Sequence, residues 1–195
     1  MAHFVSQKDI DGAEFKDSCI NEWKDIHSKK NAPWLYNQGC IYVCLVILKN
    51  TKHNGIATKY TSVLKIGYTE FDTKTSSVYH RMYSLFDTND AVWVLPLLVI
   101  QIDKPRTNET KIHTVLKKYK LNIACRERSG NYKIPREFYG VDSEILTIVE
   151  YICESGRVLF SNDNLKDKKV RQLKPLFLQV EDNLSPEQIQ KIRQY

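Results

Sequence analysis

The chain has 195 residues and a net charge of +6, a length that fits one domain with an appendage or at most two small units, and its 42% hydrophobic fraction supplies enough apolar side chains for a folded core. No run approaches the roughly 20 apolar residues of a membrane-spanning helix, and acidic residues at positions 9, 11 and 14 replace the apolar centre of a signal peptide. The five cysteines lack a Cys-x-x-Cys pair, which favours buried reduced thiols over a disulfide framework or a zinc knuckle. We therefore expect an intracellular protein, cytoplasmic or nuclear, with no membrane partner.

The spacing of apolar residues predicts the first elements of the chain. Residues 8–29 are predicted to form a helix that ends before Pro33. Residues 39–49 are apolar on both alternating faces and rich in β-branched side chains, which predicts a central strand. Residues 50–61 are polar and contain the turn signal Asn54-Gly55. Residues 62–69 alternate between apolar and polar positions and are predicted to form the second strand of a hairpin.

The later elements are expected from the same periodicities. In chain order they are a helix over residues 75–86, a strand over 91–102, helices over 107–119 and 141–153, and a short helix capped by Ser185. Residues 121–133 are basic and are expected to be irregular, and the pattern weakens from Gly156 onward.

This order of strands and helices predicts an α+β domain on a small, mainly antiparallel three-stranded sheet flanked by helices. We place this domain at residues 37–154. Residues 1–36 are expected to form a helical N-terminal extension, and residues 155–195 a mixed C-terminal extension.

The predicted hairpin carries the residues best suited to chemistry. By the two-residue period of strands, Tyr42 on the first strand can share a surface with Lys65 and Gly67 on the second. A phenol and an ammonium beside a position without a side chain would form a binding site for a phosphate group. Because a glycine weakens a strand interior, we expect some group to approach Gly67 closely. The alternative for Tyr42 is a core aromatic whose hydroxyl is hydrogen-bonded.

Several short motifs in this chain resemble those of the GIY-YIG nucleases. The segments Gly39-Cys40-Ile41-Tyr42-Val43 and Lys65-Ile66-Gly67-Tyr68-Thr69 resemble the two signature strands, in the form common in large DNA viruses and bacteriophages. The further matches, in the family's order, are Arg81, Glu109 with His113, and Glu137-Phe138-Tyr139. The resemblance covers about residues 38–154. The sequence differs from the family pattern at two positions. Cys40 stands where the family usually has a glycine, and Lys65 replaces the tyrosine of the second motif, which is usual in this branch.

The resemblance implies a metal-dependent endonuclease that hydrolyses phosphodiester bonds in DNA. It implies that Glu109 binds Mg²⁺ or Mn²⁺ and that Arg81 contacts the scissile phosphate. Tyr42 would position or deprotonate the attacking water, helped by Lys65 or His113, provided that neighbouring cations lower its pKa. The structural alternatives are an exposed helix carboxylate at Glu109, a surface ion pair at Arg81, and a partly buried, hydrogen-bonded imidazole at His113.

Positive charge is densest between residues 103 and 136, with ten basic residues against three acidic ones. Such a block suits a polyanion such as DNA, although a solvated basic surface is an equally open interpretation. The residues expected to contact nucleic acid are Gly67, Lys117, Lys118, Lys120, Arg126 and Arg128. Tyr119 and Tyr132 are candidates to stack on bases, with core packing as the alternative for Tyr119.

Two other classes of function stay open. The first is a non-cutting DNA-binding or protein-interaction module that retains the fold. The second is a nucleotide-binding regulator, for which the sequence has no glycine-rich phosphate loop.

Overall fold

The structure is a computed structural model that describes residues 13–53, 56–71, 77–126, 130–162 and 178–179. The helices of these residues are α1 (Ala13–Ile26), α2 (Val78–Thr88), α3 (Pro105–Val115) and α4 (Ser143–Ile152). The strands are β1 (Cys40–His53), β2 (Ile56–Tyr68), β3 (Ala91–Gln101), β4 (Ile123–Arg126), β5 (Tyr132–Lys133), β6 (Phe138–Tyr139), β7 (Arg157–Ser161) and β8 (Leu178–Gln179). Single 3₁₀ turns cover Pro33–Tyr36 and Leu116–Tyr119.

The strands form an antiparallel sheet with β1 at its centre. One edge of β1 pairs with β2 and the other with β3, and β7 extends the sheet beyond β3. At the far end of β1, β4 pairs with Lys52 and His53, and β5 pairs with β4. The short strands β6 and β8 lie against β2. The predicted α+β domain on a mainly antiparallel sheet is therefore confirmed, and the sheet is larger than the three strands expected.

The β1–β2 hairpin is longer than the sequence pattern predicts. Residues 50–61 are predicted to be a polar loop, whereas both strands continue through most of this segment. Three threonines of this segment are buried in the sheet, namely Thr51, Thr58 and Thr61. Their burial is tolerated because their hydroxyls hydrogen-bond to one another at 2.5 to 2.8 Å. The turn signal Asn54-Gly55 lies outside the described residues.

Four short strands lie where the sequence indicates irregular structure or a weak pattern. Residues 121–133 contain β4 and β5, and the segment after Gly156 contains β7 and β8. These segments are short, and pairing with distant strands decides their conformation more than local propensity does. The short helix expected at Ser185 lies outside the described residues.

Both faces of the central strand are buried. Alternate residues of β1 pack with α1 and α2 on one face, and the intervening residues pack with α3 and α4 on the other. This arrangement explains why β1 is apolar on both alternating faces. The four cysteines with described side chains are buried and unpaired, namely Cys40, Cys44, Cys125 and Cys153.

Helix α1 is attached to the sheet through Trp23. Its side chain is fully buried, and its Nε1 donates a hydrogen bond to the Val94 carbonyl at 2.8 Å. Among the helices of the described residues, none is long and apolar enough to cross a membrane.

His27, which follows α1, is expected to make the fold sensitive to acid. Its ring lies 4.7 Å from that of Trp23, its Nδ1 is buried without a hydrogen-bond partner among the described residues, and burial lowers the pKa of His27 from 6.5 to about 4. The unfolded chain therefore takes up a proton at a higher pH than the folded chain does, so stability is lost as the pH falls from 6.5 towards 4.

We expect the wild type to lose about 1 kcal/mol more stability than His27→Phe between pH 7 and pH 5, since the ring's partial exposure weakens the effect. The phenylalanine retains a ring against Trp23 but cannot titrate. Urea unfolding of both proteins at the two pH values measures this difference. Equal losses in the two proteins would assign the acid sensitivity to other groups.

Candidate functional site

The strand register brings three of the predicted residues onto one surface. Tyr42 lies opposite Gly67, and Lys65 lies opposite Cys44, two residues further along β1. Because strand side chains alternate, Tyr42, Lys65 and Gly67 share the face that packs with α1 and α2. The side chains of Tyr42 and Lys65 are buried, with only 3% and 7% of their surface exposed.

Gly67 leaves room for the Tyr42 ring. A Cβ atom at position 67 would lie 2.5 Å from the Tyr42 hydroxyl oxygen and 2.6 Å from its Cζ, distances that would force the ring to move. The close approach that the sequence predicts at Gly67 is therefore made by a side chain of the same sheet. Contact of Gly67 with nucleic acid stays a prediction.

Substituting Gly67 with alanine is expected to displace Tyr42 and to lower stability by about 1–3 kcal/mol through overpacking. The matched control is Gly140→Ala, whose added Cβ would meet only the Tyr119 carbonyl oxygen, at 3.9 Å. Urea unfolding, with near-ultraviolet circular dichroism to follow the tyrosines, measures both variants. If Gly67→Ala is as stable as the control, the Tyr42 ring does not require the glycine.

Helix α3 contributes Glu109 and His113 from one of its faces. The helix begins at Pro105, a residue suited to the first helical position. Glu109 is only 8% exposed, so the alternative of an exposed helix carboxylate is wrong. Its Oε1 lies 3.1 Å from Nε2 of His113, one turn further along.

Glu137, which the sequence shows only as part of a motif, joins this group. Strand β6 pairs with β2 through Phe138 and Lys65, and the preceding Glu137 forms an ion pair with Lys65. The ligand atoms of Glu109, His113 and Glu137 all lie within 4.8 Å of one another. Nothing local in the sequence predicts that β6 pairs with β2, and for that reason sequence reasoning gives Glu137 no role.

Tyr139 on β6 holds the His113 ring. The two rings are nearly parallel, with centroids 5.8 Å apart, and Nδ1 of His113 hydrogen-bonds with the Tyr139 hydroxyl. Nε2 is buried and makes no hydrogen bond to the described residues, although Glu109 is within ion-pair distance. His113 therefore presents Nε2 towards Glu109 while its Nδ1 is held by Tyr139.

Burial shifts the pKa values of Tyr42 and Lys65. It raises the pKa of Tyr42 above its ordinary range, and the opposing effect of Arg81 is smaller. The lowering that a proton-accepting Tyr42 requires is therefore not found among the described side chains, and Tyr42 is a neutral hydroxyl. Burial also lowers the pKa of Lys65 to about 8, against the effects of Cys44 and Glu109.

Arg81 lies near this group on the exposed side of α2. Ser77 caps the helix, with its hydroxyl accepting a hydrogen bond from the backbone N–H of His80 at 3.3 Å. Arg81 forms no ion pair with the described residues, so the alternative of a surface ion pair is not supported. It is close enough to Tyr42 and Lys65 to influence the pKa of each.

The structure thus brings the five predicted catalytic residues into one neighbourhood. Tyr42 and Lys65 lie on the α1 and α2 side of the sheet, whereas His113 is held by Tyr139, which belongs to the core on the opposite side. The two groups are linked by the ion pair of Lys65 with Glu137.

The predicted nucleic-acid contacts are spread more widely. Lys117, Lys118 and Lys120 are exposed at and just after the 3₁₀ turn that follows α3. Arg126 is exposed at the end of β4, which pairs with β1 ten residues beyond Tyr42, or roughly 33 Å along the strand. Arg128 lies outside the described residues.

The two candidate stacking residues differ in their surroundings. Tyr119 donates a hydrogen bond to Glu144 and packs against the core on the α3 and α4 side of the sheet, which supports its packing role. Tyr132 is 43% exposed, and the Lys52 ammonium lies 4.3 Å from its ring centroid.

A comparison with known protein families identifies the domain family of this chain. The model of the T5orf172 domain matches residues 39–153, which cover β1 to α4 and more than half of the chain. No curated protein and no solved structure matches at a significant level. The domain indicates a nuclease-like or DNA-binding function. The matched segment contains Tyr42, Lys65, Arg81, Glu109 and His113, and the chain belongs to the T5orf172 domain family.

Proposed function

We propose that this chain is a metal-dependent endonuclease of the GIY-YIG type that hydrolyses phosphodiester bonds in DNA. The observation that carries the proposal is the meeting of Glu109, His113, Lys65 and Tyr42, which come from three elements far apart in sequence. The T5orf172 match supports it, because that domain indicates a nuclease-like or DNA-binding function.

Glu109 is the proposed ligand of a Mg²⁺ or Mn²⁺ ion. Its buried carboxylate lies beside a second carboxylate and beside an imidazole nitrogen without a hydrogen bond, and these donors suit a divalent cation. When bound, the cation would supply positive charge that stabilises the charge developing on the phosphate.

Arg81, Tyr42 and Lys65 are proposed to bind the phosphate and the attacking water. The exposed Arg81 guanidinium is available for two parallel hydrogen bonds to phosphate oxygens. As a neutral hydroxyl, Tyr42 orients the water by hydrogen bonding. Lys65, at the diagonal position on the adjacent strand, assists in moving the water's proton. His113 is less suited to this proton transfer, because Tyr139 holds its Nδ1 and its Nε2 faces Glu109.

Cleavage assays test this proposal. The full chain is incubated with duplex, branched and single-stranded DNA in the presence of Mg²⁺ or Mn²⁺, and in EDTA as a control. We expect metal-dependent nicking of at least one form. Binding of DNA without cleavage of any form would instead support the second candidate, a non-cutting DNA-binding module, which the family match equally allows.

The exposed lysines after α3 are expected to contact the DNA backbone. Replacing Lys117, Lys118 and Lys120 with Gln should weaken binding to all sequences about equally and flatten the salt dependence of log K by up to about 3 units. The matched control replaces three exposed lysines near α1, which lie outside the family match, namely Lys24, Lys29 and Lys30. Fluorescence anisotropy at several salt concentrations measures both slopes. Identical slopes in the two triple variants would show that the lysines after α3 are ordinary surface charges.

A further inference from the structure

Three side chains, two on α3 and one just before β6, bring their ligand atoms close together beside Lys65. We propose that Glu109, His113 and Glu137 together form a three-ligand site that binds a divalent transition-metal ion, represented by Mn²⁺, in preference to Mg²⁺. The proposal deepens the proposed function and rests on it, since the resemblance assigns a metal to Glu109 alone.

The donor atoms are close enough together to bind one shared ion. Two donors that each lie about 2.1 Å from an ion can be at most about 4.2 Å apart. The donor atoms of Glu109, His113 and Glu137 are within 4.8 Å of one another, so movements of a few tenths of an ångström bring them to one centre. Glu109 and His113 lie one helical turn apart on α3, and Glu137 is held in place by the pairing of β6 with β2.

His113 determines which ion the site prefers. Its Nε2 is buried without a hydrogen bond to the described residues, and its Nδ1 bonds with Tyr139, an arrangement typical of a metal-binding imidazole whose other nitrogen is held by the protein. Mg²⁺ prefers oxygen ligands and gives up its waters reluctantly, whereas an imidazole nitrogen suits transition-metal ions. Two carboxylates and one imidazole therefore favour Mn²⁺ over Mg²⁺.

Lys65 adds a positive charge that competes with the cation. It is paired with Glu137 and is almost fully buried, so its charge is poorly screened. Lys65→Met, which retains a side chain of similar length, should therefore tighten binding of both Mn²⁺ and Mg²⁺. Tyr139→Phe should instead weaken Mn²⁺ binding, by about 10-fold or more, because it releases the His113 ring while leaving the aromatic packing in place.

The experiment measures metal binding by the full chain without DNA. Electron paramagnetic resonance follows the loss of the free Mn²⁺ signal, and Mg²⁺ is added as a competitor. We expect one site that binds Mn²⁺ at least about 10-fold more tightly than Mg²⁺. His113→Ala should abolish this preference, and Glu137→Gln should weaken the binding of both ions. Glu154→Gln, which removes an exposed carboxylate after α4, is the control and should behave as the wild type.

Circular dichroism confirms that each variant is folded before its affinity is measured. The inference is overturned if His113→Ala, Tyr139→Phe and Glu137→Gln all bind Mn²⁺ as tightly as the wild type, or if Mg²⁺ competes on equal terms. Its failure differs from that of the proposed function. If the three residues bind Mn²⁺ but the chain cuts no DNA, the proposed endonuclease function is contradicted and the three-ligand site is not. If cleavage requires Glu109 but neither Glu137 nor His113, the three-ligand site is contradicted and the endonuclease function is not.

Discussion

Glu109→Gln is expected to lower the rate of DNA cleavage by at least about 10³-fold, corresponding to about 4 kcal/mol of lost transition-state stabilisation. Glutamine has the size of glutamate but lacks the negative charge that would hold a divalent cation. DNA binding in EDTA should survive or tighten, because a negative charge leaves a surface that faces phosphate. Cleavage is measured under single-turnover conditions, and binding is measured separately.

The burial of Glu109 decides the choice of substitution. Sequence reasoning treats it as a surface helix position, where alanine is well tolerated, but at 8% exposure an alanine would leave a cavity. Glutamine avoids that cavity, so we expect a melting temperature close to that of the wild type. Glu154→Gln, an exposed change of the same chemistry, is the matched control. A wild-type rate for Glu109→Gln would remove this residue from the proposed metal site.

Tyr42→Phe is expected to lower the rate of the chemical step by about 10²-fold, the size expected when a reacting group loses its correct position, here the attacking water. The phenylalanine keeps the ring that fills the space above Gly67 and loses only the hydroxyl. We therefore expect near-native stability together with a lower rate at saturating DNA, measured as kcat. The expected role is to orient water by a hydrogen bond, because burial keeps this hydroxyl protonated.

The matched control for this change is Tyr83→Phe. Tyr83 lies on α2 among other aromatic side chains and should tolerate loss of its hydroxyl without an effect on the rate. If Tyr42→Phe loses stability but cuts DNA at the wild-type rate per folded molecule, the Tyr42 hydroxyl has a structural role only.

The sequence predicts the long elements of this fold better than the short ones. The apolar β1, the alternating end of β2 and the amphipathic helices α2 and α4 bury large apolar faces, so their periodicity is visible locally. Strands of two to five residues, such as β5, β6 and β7, bury too little by themselves to leave such a pattern. The polar composition of residues 50–61 predicts a loop, although most of this segment forms strands. The buried threonine hydroxyls hydrogen-bond to one another only once the hairpin has formed, so the local sequence does not show that they can be buried.

For the candidate site, the sequence by itself determined which residue types are available and which of them share an element. The two-residue strand period places Lys65 and Gly67 on one face, and the four-residue helix spacing does the same for Glu109 and His113. Only the tertiary structure decided that Glu137 joins them, because its position depends on the pairing of β6 with a strand about seventy residues earlier. It also decided that the pKa of Tyr42 is raised and not lowered, since a pKa depends on burial and on neighbouring charges that no local pattern records.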